Sequence, residues 1–580
     1  MRTEGIGFLT KTLPRLGKAL DKALTGHTKL SATSLGFESQ KGSELPLFCG
    51  EFFNLVFAPT GTVLQDPCAE AVRVLRQILY WFYKYELPYS DEQEHKVVSS
   101  FVKTEEDLVE LSPKLAIIEQ VCGVITDRLE KHFIVHANPV NVTLQARVLL
   151  QRVFTGLDLK NINPRHGPGA VATKQKLWGK YQWTNVCGRI RQHFPLHEYF
   201  TSCLDHAIDR IDDLSSIAYE DLPAQVILVP KDSRVPRLIS CEPVDFQWIQ
   251  QGIARALVQH IETLELTRGN VFFTDQSPNR TGAFYGSING AFATLDLKEA
   301  SDRVSIDLVR LLFPPDVFDI LCSARSSSTV LPNKENLKLQ KFAPMGSALC
   351  FPILAITVWA ILSAAAPDSY TKDRILVYGD DVIVPTAYAM NAMSILESFG
   401  LKVNRDKSCT GGFFRESCGM DAFKGVDVTP VRLRTTWSDS PSPERYTSWI
   451  AYANSMYERG YHRSYDLIVG MLYRVYGAIP DASFNLKVPH LREVPEYMKP
   501  KRFRINKYLQ KREWLVRDTK VPVIHHTMDG WDMLLRFFAE TSSAVPIEPG
   551  DGSSIMAGDK PAFSVGSYTR RKTSMLVYRW

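Results

Sequence analysis

Ten cysteines are scattered through the 580 residues, and no two of them form a Cys-x-x-Cys pair. That removes the commonest structural zinc and dithiol signatures and points to reduced thiols in a cytosol. There is no internal repeat and no long low-complexity tract, which excludes solenoids and fibrous chains. Residues 1–22 are basic and faintly amphipathic but hold no apolar signal core, so a packed terminal helix is expected there rather than a secretory signal. One long uncharged run stands out, residues 348–366. It carries Pro352 internally, and its length alone would qualify it as a membrane span; a buried helix is expected instead, with no stable membrane insertion.

Charge is nearly balanced. A net +5 permits a nucleic-acid partner without demanding one. Hydrophobic content of 45% with 11% aromatics describes a globular chain long enough for several subdomains. Cys187, His193, His197 and Cys203 place four zinc-type ligands within 17 residues. Pro195 interrupts any helix that would align the two histidines, so ordinary packing is the expectation.

The informative segment is Tyr378-Gly379-Asp380-Asp381, set between two short runs rich in Ile and Val. That pattern predicts a β-hairpin with two carboxylates at its tip. Adjacent carboxylates repel, and a divalent cation is the usual reason to keep them together; a solvated turn is the alternative for the tetrapeptide alone. Upstream, an apolar strand pattern runs into Asp296 and a polar, helix-capable stretch follows. Asp296 with Asp380 and Asp381 would give three hard oxygen donors, suited to Mg²⁺ or Mn²⁺. Two such ions about 3.5–4 Å apart can serve phosphoryl transfer. A helix N-cap is the other reading of Asp296.

An ordered series of motifs resembles the catalytic (beta) subunit of the RNA-directed RNA polymerase, or replicase, of the small positive-strand RNA bacteriophages, the Qβ-like group. It runs through Val229-Pro-Lys231-Asp-Ser-Arg234-Val-Pro-Arg237, residues 296–302, Pro344-Met345-Gly346-Ser347, residues 378–381, residues 400–408 and residues 414–430. The resemblance implies an α+β right-hand polymerase of fingers, palm and thumb, with an antiparallel palm sheet packed on helices. It implies Asp296, Asp380 and Asp381 as the set for two Mg²⁺ ions, with Mn²⁺ able to substitute. Lys231, Arg234 and Arg237 would hold the triphosphate, and their chemistry fits phosphate independently. Lys407 would protonate the pyrophosphate leaving group, and Asp302 would read the ribose. Between Lys298 and Asp302 there is no aromatic residue, which favours ribonucleotides over deoxyribonucleotides. The third motif departs from the family: Gly346 is followed by Cys350 where a Thr is usual, and Ser347 is the candidate hydroxyl in its stead.

The expected organisation is an N-terminal region bracing the fingers (1–150), fingers (151–285), palm (286–430), and thumb with a basic C-terminal region (431–580). Helical patterns are expected at 69–87, 105–131 and 443–477, the last with core aromatics Tyr446, Trp449, Tyr452 and Tyr457. The loop Asn163-Pro-Arg-His-Gly167-Pro-Gly169 reads as a rigid connector or a close approach to RNA. Residues 499–512 are basic with interleaved aromatics, either an RNA track or a solvated loop. The tail after Val545 is Gly/Ser-rich and expected to be flexible.

The expected activity is template-directed RNA synthesis in a bacterial host cytoplasm, using an RNA template and nucleoside triphosphates. The resemblance adds host translation elongation factors and a ribosomal protein as partners. A narna- or ourmia-like eukaryotic viral polymerase, and a non-catalytic RNA-binding virion protein, are the competing readings.

Overall fold

The computed structural model describes residues 4–127, 138–167, 169–176, 179–483, 488–520, 523–527, 530–541, 567–571 and 575–579. The tail after Val545 lies largely outside these, as do Pro168 of the 163–169 loop and the side chains of His525 and His526.

Helices α1 (Leu13–Leu24) and α2 (Ala69–Tyr80) open the chain. Their apolar stripes, Leu16 and Leu20 on one and Leu75 and Leu79 on the other, are fully buried. The core they form is completed by Phe414, Phe423 and Val428 from more than 300 residues later. Arg76, wholly buried, seals that junction. It pairs with Asp21 and with Asp421, the latter at 2.5 Å, and stacks on Phe414. Helix α3 (Asp91–Asp127) begins 14 residues before the expected start at 105. Its first turn is polar, and its apolar stripe begins only at Val98, Phe101 and Val102, which pack on a small separate core.

Strands β1 (Ala224–Val229) and β2 (Arg237–Cys241) pair antiparallel around a seven-residue connection. Helix α4 (Ser277–Asn289) then leads into β3 (Phe292–Lys298). Gly286 lets this helix press on the sheet, since a Cβ there would lie 2.8 Å from the Phe292 carbonyl oxygen. Strands β4 (Ser328–Val330) and β5 (Asn336–Lys338) extend the first sheet in the order β2-β1-β4-β5.

The uncharged run forms α5 (Cys350–Ala365), with all but its first two residues buried in the largest core. Among the described residues no helix is long and apolar enough to cross a membrane. Strands β6 (Leu376–Tyr378), β7 (Asp381–Pro385) and β8 (Lys402–Val403) complete a second sheet of order β6-β7-β3-β8, antiparallel throughout. A three-stranded sheet follows: β9 (Phe414–Ser417), β10 (Met420–Phe423) and β11 (Val426–Asp427). The architecture is α+β, with an antiparallel central sheet packed on helices.

The 443–477 pattern is two helices, Pro443–Glu458 and His462–Tyr476, broken at Gly460. Tyr446 and Trp449 are buried between them and Tyr452 and Tyr457 pack against that core. No disulfide joins any of the ten cysteines. In the 187–203 cluster, His193 pairs with Asp319 at 3.1 Å, Cys187 is buried and Cys203 is exposed.

Candidate active site

Strands β6 and β7 are joined by two residues, Gly379 and Asp380, because Tyr378 and Asp381 are already cross-strand partners. Gly379 has φ +63°, as the first position of a two-residue type II′ hairpin requires. The turn is also pressed against the Phe351 ring at the start of α5: a Cβ on Gly379 would lie 2.1 Å from Phe351 Cε2. That ring is held edge-on by Tyr378 at 5.2 Å and Phe273 at 5.7 Å.

Asp381 opens β7 directly opposite Asp296 of β3. Asp296 is therefore a strand residue and not a helix cap. Like charges directly opposed on a sheet cost stability, and three contacts offset only part of the cost. The Cys418 backbone N–H donates to Asp381 Oδ2 at 3.1 Å. Asn404 Nδ2 donates to Asp296 Oδ2 at 2.6 Å, and Lys407 Nζ to Asp296 Oδ1 at 3.3 Å. Burial, with Asp296 nearby, pushes the Asp380 carboxyl above the usual range. Burial and the Asp380 charge push Asp381 up to about 6. Burial alone would lower Lys407, but Asp296 and Glu416 outweigh it and hold the ammonium above the usual lysine range.

Among the described residues no three Asp, Glu, His or Cys side chains already converge as a finished metal shell. The donor chemistry nonetheless fits a hard divalent cation. Asp296, Asp380 and Asp381 lie at one end of the sheet, and two of them resist ionisation because their charges are crowded and desolvated.

Cations face this acidic end. Lys231 is exposed on the β1–β2 connection and Arg237 at the first residue of β2. Burial and the Arg237 charge depress the Lys231 ammonium, with Lys407 adding to the effect. Arg234 is placed differently: its guanidinium binds Asp232 at 2.6 Å and stacks 4.3 Å from the Tyr83 ring centroid. Its fork is thus committed within the loop. Tyr89 braces the same loop, accepting from the Lys231 N–H at 3.0 Å and donating to the Asp232 carbonyl at 2.8 Å. Lys18 of α1 approaches the Tyr83 ring at 5.8 Å.

Asp302 follows β3 and points inward. Its Oδ1 is buried without a hydrogen-bond partner, 3.6 Å from the ammonium of fully buried Lys341, which also pairs with Glu105 at 3.3 Å. Burial raises the Asp302 carboxyl although Lys341 opposes the shift. Cys350 feels both Asp302 and Asp380; burial first, then those charges, push its thiol up to about 12. Ser347 is buried, its hydroxyl accepting from the Leu349 N–H at 3.3 Å.

Asn404, Phe351, Tyr83 and the Cys418 N–H were not singled out from sequence. Asn404 could have been, since it lies in the 400–408 block three residues before Lys407. A backbone donor such as Cys418 leaves no side-chain signature.

A family model described as RNA replicase, beta-chain, matches residues 118–445. The chain is 30% identical over 275 residues to the RNA-directed RNA polymerase subunit beta of Enterobacteria phage SP, covering 47% of this chain and 46% of that protein. Against the subunit beta of Qbeta virus (strain MX1) it is 30% identical over 278 residues, 47% of this chain and 44% of the other. Against the beta chain of Enterobacteria phage fr it is 33% identical over 214 residues, 37% and 38%. The chain thus spans about half the length, or less, of these curated relatives.

Proposed function

The chain belongs to the RNA replicase beta-chain family, and from that premise we propose that it synthesises RNA on an RNA template by nucleotidyl transfer. The observation that carries this reading is the direct opposition of Asp296 and Asp381 on neighbouring antiparallel strands, with Asp380 in the two-residue turn beside them. Such an arrangement is costly unless cations are bound there. Asp296, Asp380 and Asp381 would hold two Mg²⁺ ions, or Mn²⁺ in their place, which when bound activate the attacking hydroxyl and steady the leaving phosphate oxygens.

The chain's own side chains supply the rest. Lys231 and Arg237, exposed and close to one another, neutralise the incoming triphosphate; Arg234 locks their loop through Asp232 and Tyr83. Lys407, kept fully protonated beside Asp296, is placed to donate a proton to the departing pyrophosphate. Asp302, held inward by the Lys341 ammonium, would accept from a ribose hydroxyl once the bound sugar reaches it, a contact a deoxynucleotide would leave empty. Ser347 holds the turn before α5 rather than offering a free hydroxyl.

In this reading residues 151–285 are fingers, 286–430 palm and 431–580 thumb, with 1–150 bracing the fingers, and the enzyme replicates a phage genome in a bacterial cytoplasm. Host elongation factors and a ribosomal protein are the expected companions, to be read by mass spectrometry of a preparation from a bacterial host. The direct test is Asp380→Asn. Incorporation of ribonucleotides should be nearly abolished at ordinary Mg²⁺ while RNA affinity stays close to wild type. Near-normal synthesis by that variant would sink the assignment.

A further inference from the structure

Residues 499–512 hold seven Lys or Arg and no acidic residue. They fold into a projecting hairpin of β12 (Phe503–Asn506) and β13 (Lys511–Trp514), which form a two-stranded sheet of their own. An isolated two-stranded hairpin is marginal in water, so its order needs local causes. Three are present. Phe503 and Trp514 are cross-strand partners with ring centroids 5.3 Å apart. Glu513 ties the strands, accepting from Arg504 at 2.8 Å and Asn506 at 2.6 Å. Asn506 Oδ1 caps the tip, accepting from the Tyr508 and Leu509 N–H groups at 3.0 Å each.

The pinned tip presents Tyr508 at 98% exposure, with Ile505 and Leu509 also largely in solvent. An aromatic ring on a rigid turn loses little entropy when another ring stacks on it. Lys507 and Lys511 flank the tip; neither is drawn into one of the hairpin's ion pairs, which go to Arg504, although Lys511 lies within reach of the Glu513 charge. A hydrophobic protein partner would not need so many unneutralised cations, whereas a single-stranded polyanion with exposed bases needs both features.

We propose that this hairpin is a single-stranded RNA contact, with Tyr508 as a base-stacking platform and Lys507 and Lys511 on the phosphates. The proposal rests on the polymerase reading only in its choice of RNA as the strand. Its test is fluorescence anisotropy of the whole chain with a labelled single-stranded RNA oligonucleotide and with a duplex of equal length. Tyr508→Ala should weaken single-strand binding about five- to a hundredfold and duplex binding little, and Tyr508→Trp should restore it. Lys507→Ala with Lys511→Ala should flatten the slope of log affinity against log salt by about 1.4. Unchanged affinity and slope in these variants would overturn the proposal. So would normal RNA binding combined with loss of a co-purifying protein, which would make the hairpin a protein-docking element. Wild-type incorporation measured on the same preparation keeps the two readings apart: its failure counts against the polymerase, not against the binding result.

Discussion

Replacing Gly379 by Ala changes one methyl group and should disable the site. The new Cβ would sit 2.1 Å from Phe351 Cε2 and 2.8 Å from Cδ2. Ordinary carbon contacts lie at about 3.5–4.0 Å, so the ring or the turn must move by roughly 1.5 Å. The ring is wedged between Tyr378 and Phe273, which makes the turn the softer partner. Two effects then combine. A left-handed backbone costs a non-glycine residue about 1–2 kcal/mol, and misplacing a reacting group by about 1 Å costs on the order of a hundredfold in rate. Gly379→Ala should therefore lower single-nucleotide incorporation, followed by rapid quench on a short RNA, about a hundredfold or more with RNA affinity retained. Adding Phe351→Ala removes the obstacle and leaves only the backbone cost. The double variant should recover to within about 5- to 30-fold of Phe351→Ala alone. A double variant as slow as Gly379→Ala would refute the steric argument. A Gly379→Ala enzyme at wild-type rate would refute the demand for left-handed backbone as well.

Arg237→Ala should raise the nucleotide KM and slow the chemistry, lowering kcat/KM about ten- to a hundredfold. Weaker, more salt-sensitive RNA binding at unchanged KM would move this residue to the template path instead. Arg76→Ala removes the guanidinium between half-buried Asp21, which keeps only the Tyr80 hydroxyl, and buried Asp421, which keeps only Arg432; it should cost up to about 3–5 kcal/mol, read as a lower thermal midpoint and faster proteolysis of residues 4–80. His166 is packed against Tyr181, Trp183 and Trp248, and burial, helped by Lys180, lowers its imidazole to about 3. Because the folded value lies below the unfolded one, its contribution is complete above about pH 6.5 and drains away as pH falls towards 3. The loss reaches about 2 kcal/mol at pH 5. His166→Phe should flatten the fall in thermal midpoint between pH 7.5 and 5, and an equally steep fall would refute the assignment.

The acidic hairpin was legible because short β-branched runs on either side of Gly-Asp leave few other conformations. The burial of α5 was legible because an uncharged run with an internal proline, set among polar motifs, has nowhere to go but a core. Asp296 as a strand residue followed from the apolar alternation before it. Other parts were hidden for physical reasons. The early start of α3 was missed because its first turn, residues 91–96, is wholly polar, and the stripe of Val98, Phe101 and Val102 behind it is too short to read as a helix on its own. Tyr83 was missed because Tyr80-Trp-Phe-Tyr83 reads as ordinary core, yet one of its rings gathers Lys18 and Arg234. The commitment of Arg234 to Asp232 spans only two residues and was readable in principle. Resemblance to a phosphate-binding motif drew attention to the cations and away from the acid between them. The basic 499–512 segment showed its charge in sequence but not its pairing, which depends on Glu513 and Trp514 just beyond it.

The core shared by α1, α2 and the β9–β10 hairpin has a consequence in time. Its early half ends at Leu79 and its late half begins at Cys409. At about 5–20 residues per second, a ribosome takes roughly 15–70 s to make the intervening stretch. For that interval Leu16, Leu20, Leu75 and Leu79 have no partner from the far side, and Arg76 has no Asp421. A nascent chain therefore carries an uncovered apolar face for most of its synthesis. The acidic hairpin is already made when that face is still waiting, so the arrival of β9 and β10 closes the N-terminal core and delivers the Cys418 N–H to Asp381 in the same event.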